Sequence, residues 1–259
     1  MVKFLVVFLF TAPTFAESVW KHESEIGIAL SNSDTADSIS RKSETWSLKQ
    51  TTSWEREFHI LRMRANFLRT RTLEITETEK IANESARLWS IGFRHEWLLA
   101  NHFNLFVEYS LEADITKPYL QKNNADIGVK YFFAQSKPTT WFAEFGYRNI
   151  RLDYAGTTET QVVGAIRAYT EFNQALTETS RGLLKIEYVP NITKPPLETG
   201  PARRAGYTLT FEPSVEMKLN ANLVFKLTYH YKEDETPNQF LERTPSITRT
   251  LTTSLAASF

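Results

Sequence analysis

The stretch "RLWSIGFRHEWLLANHFNLFVEYSLEAD", Arg87–Asp114, alternates with a period of two on both sides of a short polar interruption. Trp89, Ile91, Phe93, His95 and Trp97 share one face, with Ser90, Gly92, Arg94 and Glu96 on the other. After Asn101, Leu105, Val107, Tyr109, Leu111 and Ala113 oppose Phe106, Glu108, Ser110, Glu112 and Asp114. Successive side chains of an extended chain point to opposite faces, so this is the pattern of two antiparallel strands. One face is apolar and aromatic. The other carries full charges, which is unusual for a face that must be covered.

The same alternation recurs along the chain. Ile26, Ile28 and Leu30 open it, followed by Trp46, Leu48 and Trp54, then Leu61, Met63, Ala65 and Phe67. Downstream come "ADIGVKYFF" (Ala125–Phe133), Trp141 to Tyr147, Val162 to Phe172, Leu184 to Tyr188, Tyr207 to Val215, Leu223 to Tyr231, and the final "TLTTSLAASF" (Thr250–Phe259). This series predicts about twelve strands, each near the ~9–11 residues that a tilted membrane strand needs. Short connections are expected near Trp54–Glu57, Leu99–His102, Ala134–Thr140, Asn173–Thr179 and Lys218–Asn222. Longer polar ones are expected near Asn32–Ser38, Leu73–Glu84, Lys117–Asn123, Asp153–Thr160, Ile192–Arg204 and Lys232–Pro245. Short turns on one side and long loops on the other are the plan of an up-and-down transmembrane β-barrel with periplasmic termini.

A charged side chain facing lipid at mid-membrane costs on the order of 2–4 kcal/mol for Arg or Lys, so the charged face is assigned to the lumen. Trp54, Trp89, Trp97, Trp141, Tyr207 and Tyr231 suit the aromatic girdles at the two interfaces. The competing architecture is a soluble sandwich or lipocalin-like barrel, in which the apolar face would be the core.

Keeping the apolar faces aligned sets two registers. A hairpin centred on Asn101 puts Arg94 opposite Glu108, and one centred on Lys137 puts Lys130 opposite Glu144 and Asp126 opposite Arg148. These six residues are the expected ion pairs of a narrow lumen.

The N-terminus reads as an export signal. Lys3 supplies a charge, Phe4–Phe10 an apolar core too short to span a bilayer, and Thr14–Ala16 a small-residue site with cleavage before Glu17. Domain organisation is then a signal peptide over 1–16 and one barrel over 17–259 in the outer membrane of a Gram-negative cell. The 259 residues contain no cysteine, so no disulfide framework holds the exported protein. Lys plus Arg equal Asp plus Glu at 30 each, and no nucleic-acid partner is indicated.

The tail "TLTTSLAASF" resembles the C-terminal signal strand of outer-membrane barrels, with Leu251, Leu255 and the terminal aromatic Phe259 carrying the resemblance. Expected partners are therefore outer-membrane lipid and the barrel-assembly machinery. Partial burial of Phe259 caps its equilibrium contribution at about 1.5–3 kcal/mol. Deleting it is expected to lower the amount of assembled barrel in cells while refolding from urea into detergent stays near normal. Equal loss in both assays would mark a stability defect instead.

Over nearly the whole mature chain, "WKHESEIGIALSNSDTADSIS" (Trp20–Ser40), Ile91–Asp114, Ala125–Phe133 and the Thr-rich last strand resemble the salt-induced outer-membrane protein family. Ser31-Asn32 stands where that family usually carries Gly-Asn in its first hairpin. The resemblance implies a β-barrel, a tie to salt or osmotic stress, and no established activity.

The function expected is a structural barrel or a narrow passive pore, without cofactor or catalytic centre. Two alternatives stand beside it. "HES" places His22 and Ser24 two apart on one face, the spacing that a phospholipase-like barrel would want, though at a strand end and with no orienting residue assignable. The acidic segments Leu73–Glu84 and Lys232–Arg243 could serve a surface adhesin. The five histidines form no metal-binding spacing.

Overall fold

The computed structural model of the chain describes residues 19–34, 40–75, 80–114, 119–154, 160–193, 206–235 and 246–258. The proposed signal peptide and Phe259 lie outside these residues. Twelve antiparallel strands form one closed barrel, each paired with its sequence neighbours, and the last with the first. They are β1 (Val19–Asp34), β2 (Ser40–Arg56), β3 (His59–Ile75), β4 (Lys80–Ala100), β5 (Phe103–Asp114) and β6 (Tyr119–Gln135). The second half comprises β7 (Thr139–Tyr154), β8 (Thr160–Ala175), β9 (Ser180–Pro190), β10 (Tyr207–Lys218), β11 (Leu223–Asp234) and β12 (Ser246–Ser258).

The faces are inverted relative to a soluble protein. Ile26, Met63, Phe93, Ile127, Phe145, Val162 and Leu255 are exposed on the outside, while Arg94, Glu96, Asp126, Lys130, Glu144 and Arg167 are buried inside. Only lipid can cover such an exterior, because a bilayer solvates apolar side chains and a closed ring leaves no backbone edge unsatisfied. The soluble-barrel alternative required the apolar face inside and is overturned. The barrel lies in the outer membrane.

The short turns are built from local side-chain chemistry. Asn220 Oδ1 accepts from the backbone N–H of Asn222 and of Leu223, both at 2.9 Å, closing the β10–β11 turn. Thr177 Oγ1 does the same for Thr179 at 3.2 Å and Ser180 at 3.0 Å between β8 and β9. Glu57 turns the chain between β2 and β3 with φ at 45°. Aromatic rings ring this end on the outside. Phe133 stacks on Trp141 with centroids 4.5 Å apart, and Trp20 lies 6.4 Å from Trp54.

Two expectations are corrected. The strands run 11 to 21 residues, and all but β9 exceed the ~9–11 that a tilted membrane strand needs. The expected loops also shrink, since β3 continues to Ile75 and β4 begins at Lys80, inside the segment read as Leu73–Glu84. Similarly, β1 continues to Asp34, β6 begins at Tyr119 and β11 continues to Asp234. The alternation marks only the lipid-facing length of each strand. Past the bilayer both faces meet water, so ladder pairing continues without an apolar signature.

The closing seam differs from the others. β1 pairs with β2 from Val19↔Glu55 to Asp34↔Ser40, but with β12 only from Glu23↔Ser258 to Ile28↔Thr253. Two side-chain hydrogen bonds reinforce it: Thr253 Oγ1 to the Ile28 carbonyl at 3.1 Å, and buried Ser254 Oγ to Glu25 Oε1 at 2.8 Å.

Candidate functional site

The lumen is the site to consider, since it collects the charged face of every strand. Its registers place Arg94 opposite Glu108, Asp126 opposite Arg148 and Lys130 opposite Glu144. These are the registers that aligned apolar faces demand. Arg94 Nη1 donates to Glu108 Oε2 at 3.1 Å, and Arg148 binds Asp126 through two parallel bonds of 2.7 Å. The third pair differs from expectation. Lys130 Nζ sits 3.5 Å from Glu96 Oε2, and Glu144 is taken by two arginines.

Glu144 is the centre of the arrangement. Arg94 reaches it from β4 with both Nη atoms, at 2.6 and 3.1 Å, and Arg167 reaches it from β8 at 2.6 Å. A carboxylate can accept about four hydrogen bonds, so one acid joins two guanidinium groups. Arg167 Nε also donates to Glu187 Oε1 at 2.6 Å, and Arg148 Nη2 meets the same oxygen at 3.2 Å. Arg94 Nε closes the group on Glu96 at 2.7 Å.

Within this group, between Asp126 and Lys130 on β6 and between Glu144 and Arg148 on β7, the barrel wall is notched. Gly128 of β6 faces Gly146 of β7 and Phe106 of β5 in register. The missing side chain of Gly128 leaves room for the fully buried Phe106 ring against the wall, and that of Gly146 lets the β6 and β7 backbones approach. The Arg94 guanidinium then lies 4.0 Å over that ring. Lys130 Nζ lies 4.0 Å over Phe142 in the same way. Aromatic faces thus support the charged heads without adding further charge.

Glu96, Arg167 and Glu187 were not among the expected pairs. Glu96 shares the parity of Arg94 two residues earlier, which was enough to place it in the lumen. Arg167 and Glu187 are diagonal neighbours in the β8–β9 register, whereas the Arg94–Glu144 choice depends on barrel curvature, which hairpin registers do not contain.

A second cluster occupies β9 to β2. Lys226 Nζ lies between Glu216 at 3.4 Å and Glu25 at 3.6 Å, and Arg181 Nε meets Glu216 at 2.5 Å. Lys185 and His230 hold Glu212 at 3.5 and 3.2 Å. Towards the long-loop end, Ile150, Leu152, Val163, Ala165 and Val189 pack as an apolar cluster on the β7–β9 side. At the short-turn end a cavity of ≈ 740 Å³ reaches from Lys21 and Arg62 on one wall to Lys130, Glu171 and Lys185 on the other.

The family described as "Protein of unknown function, DUF481" matches residues 36–259. The chain belongs to this family. Among curated proteins, none matches the sequence. This DUF481 chain is similar in fold to an outer membrane channel from Pseudomonas putida F1, with TM-score 0.55 and 9% identity over 98% of this chain and 100% of that one. It is similar to the NanC porin with TM-score 0.52 and 6% identity, covering 91% and 98% of the two chains. The translocator domain of the autotransporter NalP from Neisseria meningitidis gives TM-score 0.50 and 7% identity, covering 95% and 90%. At such identities the likeness is one of fold.

His22 and Ser24 do face outward beside Ile26, but they do not meet. His22 Nδ1 lies 3.1 Å from Thr52 Oγ1 and its ring stacks on Trp20, while Ser24 Oγ donates to Gln50 Oε1. Each side chain is bonded across to β2. Leu251 and Leu255 face lipid on β12.

Proposed function

We propose that this DUF481 barrel is a narrow passive pore, inserted with its short turns and termini towards the periplasm and its longer loops outward. Residues 1–16 serve as the export signal, and the C-terminal strand is what the assembly machinery reads. The observation that carries the reading is the ≈ 740 Å³ cavity between Arg62 of β3 and Lys185 of β9, on opposite walls of the ring. A purely structural barrel of this size would gain from filling that space with packed side chains. The fold shared with a channel and a porin supports the same reading.

The test is single-channel recording of purified, folded protein in a planar bilayer. Small, uniform current steps are expected, well below those of an open sixteen-stranded porin, because side-chain clusters occupy part of the lumen. A folded barrel that inserts and shows no steps would leave the structural reading standing instead.

A further inference from the structure

Building on the pore reading, we propose that the lumen passes small anions in preference to cations, through the cavity that Arg62 and Lys185 line and past Lys49 and Arg64 next to it on β2 and β3. Three ion pairs made by cations of β2 and β3 are oriented alike. Lys49 Nζ lies 3.5 Å from Glu25 Oε1, and the lysine side chain is 42% exposed while the glutamate is 8%. Arg64 binds Glu108 with 40% against 12%, and Arg62 lies 3.5 Å from Glu96 with 29% against 1%. In each pair the cation meets the water and the carboxylate stands behind it.

The buried acids are also saturated from the rear. Glu25 accepts from Ser254 at 2.8 Å and faces Lys226 at 3.6 Å. Glu108 accepts from Arg94 at 3.1 Å. Glu96 accepts from Arg94 at 2.7 Å and from Asn104 at 3.1 Å. Each acid is thus held by partners on two sides and is largely buried, whereas the Arg62, Arg64 and Lys49 side chains keep much of their surface exposed.

These cations lie close together. Thr51 is the register partner of Arg64, which makes Lys49 its diagonal neighbour on the same inward face. Lys185 lines the same cavity as Arg62 from the far wall. The β6–β9 arc of the lumen carries the Arg148–Arg167 group and the apolar cluster beside it, and the acids of β10 are paired with Lys185, Arg181 and Lys226. Acidic groups do line the cavity: Glu23 and Glu55 join Lys21 at the short-turn mouth, where Glu55 is its ion-pair partner, and Glu171 stands on the far wall as the register partner of Lys185, accepting from the Tyr169 hydroxyl at 2.6 Å. Selection therefore belongs to the inner end of this cavity, past the paired acids, where low-dielectric walls focus the field of a few fixed charges. Guanidinium and ammonium donors suit chloride and, with added hydrogen bonds, small carboxylates or phosphates.

The experiment is the reversal potential of the full mature chain in a planar bilayer under a KCl gradient, repeated with potassium acetate. A potential of the sign for anion preference is expected in both salts. It should move towards zero in a Lys49→Gln/Arg64→Gln double variant and change sign in Lys49→Glu/Arg64→Glu. A wild-type potential that is zero or cation-signed in a conducting preparation overturns the anion proposal while leaving the pore. So does a potential unmoved by the Glu double variant. A folded barrel with no conductance overturns the pore itself, and with it this inference.

Discussion

Replacing Glu144 with alanine should destabilise the barrel by about 3–5 kcal/mol, the usual loss when one partner of a buried pair is removed. The reason is local crowding of like charge. Arg94 and Arg167 both lie within 2.6 Å of Glu144 oxygens, and the Arg94 side chain is almost wholly inaccessible to water. Arg94 would keep Glu96 and Glu108, and Arg167 would keep Glu187. Neither partner can move into the vacated place without leaving its present bonds. Urea unfolding of purified protein in detergent, followed by heat-modifiable gel mobility, reads the change. Glu55→Ala is the matched control, since Glu55 forms a water-exposed pair with Lys21 worth ~0–1 kcal/mol. Equal midpoints for the two variants would show that the Glu144 group is not what holds this side of the lumen.

Adding one methyl group at Gly128 should be equally damaging by a different route. A Cβ there would lie 2.5 Å from the Phe145 carbonyl oxygen, 2.8 Å from Gly146 Cα and 2.8 Å from Phe106 Cζ. Two of those three atoms are backbone of the neighbouring strand and cannot rotate away. The β6–β7 ladder would have to spread, and Phe106 would leave the wall and lose its place under Arg94. Overpacking of this kind costs about 1–3 kcal/mol where relief is available, and here the relief is limited. Gly92→Ala is the comparison, because its new Cβ would meet Ser110 Cβ at an ordinary 3.6 Å. The expected result is a clear loss of folded barrel for Gly128→Ala and little or none for Gly92→Ala. A Phe106→Ala/Gly128→Ala double variant should recover only part of the loss, since the two backbone collisions remain. Full recovery would mean that the ring alone was the obstacle.

Barrel, strand count and inside–outside assignment were legible because they depend only on parity. Ile91 and Arg94 differ by an odd number of positions and so occupy opposite faces whatever the barrel's radius. The hairpin registers around Asn101 and Lys137 were legible for the same reason. Strand length was not, because Thr70 and Thr72 of β3 continue the ladder where no apolar partner row is needed. Nor were the partners of Glu144. Register names its neighbour on β6, Lys130, but the side chains that reach it are Arg167, a diagonal neighbour on β8, and Arg94 of β4, whose approach across the lumen follows from how sharply the sheet curves. Gly128 and Gly146 read only as breaks in a polar row, with nothing in the sequence to say that a phenylalanine would pack against Gly128.

The short seam between β1 and β12 has a consequence for the order of events in folding. Each of the other strand pairs joins sequence neighbours, so it forms by local zipping at small loop-closure cost. Glu25 and Ser254, by contrast, are 229 residues apart. Bringing such distant points together from a free chain would cost roughly 5 kcal/mol of loop entropy by the logarithmic rule. The few residues paired at this seam cannot readily repay that from a disordered start. They need not, if the other eleven pairings have already bent the sheet until its two ends lie side by side. Closure then becomes a last, nearly unimolecular step whose rate reports sheet curvature rather than chain diffusion.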